Sequence, residues 1–102
     1  MKFTPEQEKV MQSAIATFGI DDQTIKAIEE FSELNVELAK MVNAPDFFDQ
    51  ERYDAMVEEM ADSHIMLYQL KTMYKVSDEE LNLKIFEKLK RLEELIDFVR
   101  SD

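Results

Sequence analysis

An all-α fold, a four-helix bundle with short loops, is predicted by three features of the chain. Its 102 residues include one Gly and two Pro, too few turn formers for a sheet of many short strands. Apolar residues recur at three- and four-residue intervals in four separate stretches, the period of a helix with one buried face. Residues that start or stop helices bound most of those stretches. The length suits a single domain covering residues 1–102, and 45% hydrophobic content excludes a disordered tail. A chain this short buries a modest share of its surface, so a second subunit covering more of it is expected.

The first helix is predicted to open at Thr4, with Pro5 in the first helical position and Gln7 completing a capping box. Val10, Met11, Ala14, Ile15 and Phe18 form its stripe, and Gly19 stops it. Asp21 or Asp22 is expected to cap a second helix running to about Val42, with Ile28, Phe31, Leu34, Leu38 and Met41 on one face. Asn43-Ala44-Pro45-Asp46 reads as a loop. A third helix follows from about Asp49 to Tyr74, with Met56, Met60, Leu67 and Leu70 in its stripe. Ser77 and Glu80 form a capping box for the last helix. Leu83, Phe86, Leu95 and Phe98 widen the apolar stripe of that helix well past one face. Such a helix is expected to contact both its own core and a second chain, giving a homodimer or homotetramer.

Composition narrows the function classes. No Cys is present, which removes disulfides, zinc–thiolate sites and thiol nucleophiles. The short apolar runs exclude a membrane span, and the first residues lack the apolar stretch of a signal peptide, so a cytoplasmic protein is expected. The net charge of −11 disfavours a nucleic-acid polymer as partner, which needs clustered Lys and Arg.

Acidity alone has a bland reading as a solvated helix surface, and Lys26 with Glu30 and Glu37 with Lys40 have the spacing of ordinary helical ion pairs. Glu59 departs from that reading. It projects between Met56, Met66 and Leu70, inside the apolar arc of its helix, and Asp62 follows one turn later at the edge of the arc. A buried carboxylate must be neutralised by a proton, a cationic side chain or a metal. Glu30 and Glu33 present the same i, i+3 spacing on the second helix. Two helices so equipped can converge four carboxylates on one point, the hard oxygen ligand set that Mg²⁺ prefers.

Bundle di-iron sites use Glu-x-x-His pairs, but the single histidine, His64, has Ala61 three residues before it. His64 falls on the apolar side of its helix and reads as a core or interface residue; a phosphotransfer histidine should be exposed. Carboxylates without imidazole point to Mg²⁺ or Mn²⁺, and through them to phosphate chemistry.

Glu29-Glu30-Phe31-Ser32-Glu33 followed by Glu59-Met60-Ala61-Asp62 resembles the E-E-x-x-E … E-x-x-D signature of the MazG-like nucleoside triphosphate pyrophosphohydrolases. Ile65-Met66-Leu67-Tyr68-Gln69-Leu70 follows the second acid pair much as in small phage-type members, and Lys88-Leu89-Lys90-Arg91 is similar to the family's K-x-x-R element. The resemblance covers roughly residues 22 to 96. It implies Mg²⁺-dependent hydrolysis of a (deoxy)nucleoside triphosphate to the monophosphate and pyrophosphate. By position, Glu30, Glu33, Glu59 and Asp62 would hold the metal, and Lys40, Lys88 and Arg91 would contact phosphate oxygens; ion pairing on an acidic surface is the plainer role for those three bases. Glu29 would orient water or simply face solvent. It also implies homo-oligomers with sites completed near subunit contacts.

The chain departs from the pattern in two places: Met41-Val42-Asn43 and Leu95 stand where the family often carries further arginines. Both thin the phosphate-binding complement. Phe18, Phe31, Phe47, Phe48 and Tyr53 are available for a base-stacking wall or for the core. The alternative from another class is a non-catalytic acidic helical module that binds a basic protein.

Overall fold

The computed structural model describes residues 2–43 and 49–101. It holds four helices in chain order: α1 (Pro5–Phe18), α2 (Ile20–Asn43), α3 (Gln50–Met73) and α4 (Asp78–Arg100). The all-α expectation holds, and no strand occurs among the described residues.

Local chemistry sets most of the boundaries. The Thr4 hydroxyl accepts from the Gln7 amide at 3.1 Å and the Gln7 side chain accepts from the Thr4 amide at 2.8 Å, which satisfies two donors at the start of α1. The Asp49 carboxylate caps α3 by accepting from the amides of Glu51 and Arg52. Ser77 caps α4 by accepting from the Glu80 amide; no return bond from the Glu80 side chain completes the expected box among the described residues.

Asp21 and Asp22 do not cap α2. The helix begins one residue earlier, at Ile20, and the Gly19 carbonyl accepts from the Gln23 amide at 3.1 Å. Gly19 thus ends α1 and opens α2 within one residue, because its φ of 91° is accessible to glycine without strain. Asp21 and Asp22 sit in the first turn, where they complement the helix dipole. At its other end α2 runs through Asn43. The rest of the expected loop, Ala44, Pro45 and Asp46, lies outside the described residues, as do Phe47 and Phe48.

α2 and α3 form the main packing pair, and they run antiparallel: Thr24 near the start of α2 hydrogen-bonds Tyr74 at the end of α3 at 2.8 Å. α1 lies across both. Gln12 donates to the Tyr68 hydroxyl at 3.0 Å, Gln69 donates to the Met11 carbonyl at 3.3 Å, and Phe3 meets Tyr68 edge to face. Among the described residues the buried apolar set is small: Met11, Ala27, Met66 and Met73. Equally many buried residues are polar: Gln23, Glu30, Ser63 and Gln69.

Among the described residues, α4 packs against no other helix of its chain, and none of its residues is buried. The expected contact of this helix with its own core is therefore absent. An ion pair between Lys71 and Asp78 ties its first turn to the end of α3.

Candidate metal centre

Antiparallel packing of α2 on α3 sets the E-x-x-E of one helix against the E-x-x-D of the other. Carboxylate oxygens of Glu30, Glu33 and Glu59 all lie within 4.8 Å of one another. Asp62 and Glu59 are each close enough to Glu30 to alter proton affinities across the pair, and Glu59 is likewise influenced by Glu33. Three of the four acids named from their spacing thus lie close together, and Asp62, outside that trio, interacts with Glu30.

Their environments differ. Glu30 is 5% exposed, Glu59 and Asp62 are half-buried, and Glu33 is exposed. Lys26 binds Glu30 Oε1 at 2.9 Å, and this contact holds the Glu30 carboxyl below its ordinary range against the opposing effect of burial. The same contact raises Lys26. Glu59 is pushed up by burial first, then by repulsion from Glu33, Glu30 and Asp62. Asp62 is also raised, by burial and then by its contact with Glu30.

Carboxylates this close require protons or a cation between them. Lys26 supplies one positive charge against four acids. Two oxygens remain buried without a hydrogen-bond partner, Glu30 Oε2 and Glu59 Oε2, a costly state for an ionised group. Hard oxygen donors in this number fit Mg²⁺ or Mn²⁺, so the residues present suit the implied ion.

The expected phosphate-contacting residues are not gathered at the acids. Lys40 pairs with Glu37 at 3.2 Å, near the C-terminal end of α2. Lys88 and Arg91 lie on α4, which no packing contact brings to α2 or α3. Glu29 is exposed and His64 half-buried. Among the aromatics, Phe31 is half-buried while Phe18 and Tyr53 are largely exposed.

Beside the acids lies a feature that sequence periodicity did not reveal. α1, α2 and α3 enclose an apolar groove of about 640 Å³, and Lys26 and Glu29 stand on its wall. Gln23 and Gln69 also line it, both buried. A signal existed: Gln23 with Ala27 and Glu30, and Gln69 with Met66 and Met73, occupy the same helical stripe as buried residues.

Comparison with protein-family models, curated proteins and solved structures returned no match for this chain.

Proposed function

We propose that this chain is a divalent-metal-dependent nucleoside triphosphate pyrophosphohydrolase of the MazG-like kind, working as a homodimer or homotetramer. The observation carrying the reading is the meeting of Glu30, Glu33 and Glu59 within 4.8 Å, two of them with buried unpartnered oxygens. The order and spacing of the acids, which resemble the family signature, supply the choice of reaction.

Mg²⁺ or Mn²⁺ held by Glu30, Glu33, Glu59 and Asp62 would neutralise phosphate charge and act as a Lewis acid. The chain's own residues do the rest. Glu30, fixed by Lys26, is an ionised anchor for the site. A carboxylate of the cluster, Glu59 by its central place, would orient a water molecule and accept its proton as the new P–O bond forms and the α–β phosphoanhydride breaks, with pyrophosphate leaving. Lys40 lies in the same chain, whereas Lys88 and Arg91 would reach the phosphates from the α4 of a second copy.

The test is pyrophosphate release from a panel of nucleoside triphosphates with Mg²⁺. Glu59→Gln, nearly isosteric, should lower turnover by at least about 100-fold, since loss of an outer-shell partner alone costs up to that much. Unchanged turnover in a correctly folded variant would sink the assignment. No turnover in the wild type, together with no Mg²⁺-dependent thermal shift, would favour the acidic interaction module instead.

A further inference from the structure

We propose that the groove between α1, α2 and α3 seats the base of the nucleotide whose phosphates occupy the acid cluster. The inference rests on the pyrophosphohydrolase reading and adds where the substrate's specificity is set. Three observations carry it.

First, groove and acids share a wall. Lys26 lines the groove and binds Glu30 Oε1 at 2.9 Å, so a ligand spanning both would pass along one side chain. Second, the groove has the size and character of a small-molecule site. Its volume of about 640 Å³ falls in the range of ligand pockets, which are mostly apolar with a few placed polar groups. Val10, Met11, Ile65 and Met66 give apolar walls, and Phe18 at 59% exposure offers an aromatic face without a full packing partner. Third, the wall holds an unspent hydrogen-bond acceptor. Gln69 is 2% exposed and donates through Nε2 to the Met11 carbonyl. That carbonyl can only accept, so the amide cannot be turned round. Gln69 Oε1 is left buried and unpartnered, and an N–H on a base edge is the group it lacks. The oxygen is shielded from solvent, so an incoming base must part the wall to reach it. A buried polar group built to pair with a ligand discriminates strongly against ligands that leave it unpaired.

The experiment uses the full chain with Mg²⁺ and two probes: a non-hydrolysable α,β-imido nucleoside triphosphate, and inorganic tripolyphosphate, which has no base. Ala14→Phe fills the groove from α1 without touching the acids. It should weaken the nucleotide at least about tenfold and leave tripolyphosphate binding unchanged. An equal effect on both probes, or on neither, overturns the proposal. In the wild type, methyl-labelled methionine resonances give a second readout independent of any variant. Nucleotide should shift Met11 and Met66, whereas tripolyphosphate should not. Shifts of these two with protein concentration alone would assign the groove to a second copy of the chain and overturn the proposal. If the wild type turns over nucleotide yet Ala14→Phe is silent, the groove fails and the enzymatic reading stands. If the wild type binds neither probe, both fail.

Discussion

Glu59 and Asp62 are raised by burial, while Glu30 is lowered by Lys26, and the opposite signs give the cluster a distinct pH dependence. A carboxyl whose pKa is raised in the folded state binds its proton more tightly there than in the unfolded chain. It stabilises the fold below its ordinary value, near 4.5 for Glu59 and 3.8 for Asp62, and that benefit is lost as pH rises through the raised value. Glu30 acts the other way and loses its contribution only as pH falls through its lowered value. Above about pH 5, then, Glu59 and Asp62 dominate the cluster's contribution. The metal-free chain should melt at progressively lower temperature as pH rises from the ordinary carboxylate values through the raised ones, and Glu59→Gln should flatten that slope. Protons compete with metal for the same oxygens, so Mg²⁺ should raise the melting temperature more at pH 7 than at pH 5. At a hundredfold excess over Kd the gain approaches about 2.7 kcal/mol. A pH-independent Mg²⁺ effect in differential scanning calorimetry would place the ion elsewhere. The same arithmetic predicts that Glu59→Gln is more stable than the wild type without metal at neutral pH, the behaviour of a residue kept for its site rather than its packing.

At the scale of elements, the α1–α2 junction depends on one backbone conformation. Gly19 has φ 91° and ψ 163°, a region almost confined to glycine. A Cβ there meets no atom within 4 Å, so any cost of Gly19→Ala is backbone strain and not a clash. Urea denaturation should show a loss of about 1–3 kcal/mol, with the acid cluster intact. Ser77→Ala removes the cap of α4 and should cost about 1 kcal/mol of helix stability, seen as faster amide exchange confined to its first turn.

These junctions mark how far the sequence was legible. Helix starts at Thr4, Asp49 and Ser77 could be read because a cap is local chemistry between residues two or three apart. The start of α2 could not, since Gly19 serves two helices at once and leaves Asp21 and Asp22 no cap to make. In the site, Glu59 was legible because a carboxylate inside an apolar arc contradicts its own helix. Exposed Glu33 carried no such signal; only the approach of α3 makes it part of the cluster. The groove was invisible for the same reason, since its walls come from three helices and no single periodicity records them.

At the scale of the whole molecule, the radius of gyration of 17.2 Å exceeds the roughly 13 Å of a compact domain of this length, in keeping with an α4 that packs on none of the other helices. Ile85, Leu89, Leu92, Ile96 and Val99 follow a 4-3-4-3 spacing along it, the seam of a coiled coil, yet each is at least 40% exposed. At about 1.5 Å per residue the helix is roughly 34 Å long. Its apolar face is long enough to form a large part of the about 800 Å² per partner that a stable interface buries. The middle of α4 is also the one strongly basic stretch of this acidic chain, with Lys84, Lys88, Lys90 and Arg91 within eight residues. Leu92→Glu places a charge in the centre of the seam and touches nothing in α1–α3. Light scattering should show a dimer or tetramer for the wild type and a monomer for the variant. The Mg²⁺-dependent melting shift should survive, because all four acids come from α2 and α3. If Lys88 and Arg91 of a second copy meet the phosphates, as proposed, affinity for tripolyphosphate should fall in the variant. If the variant is monomeric and tripolyphosphate binds as before, these two residues have no part in the site, and the cations that meet the phosphates must come from the same chain, with Lys26 beside Glu30 the nearest.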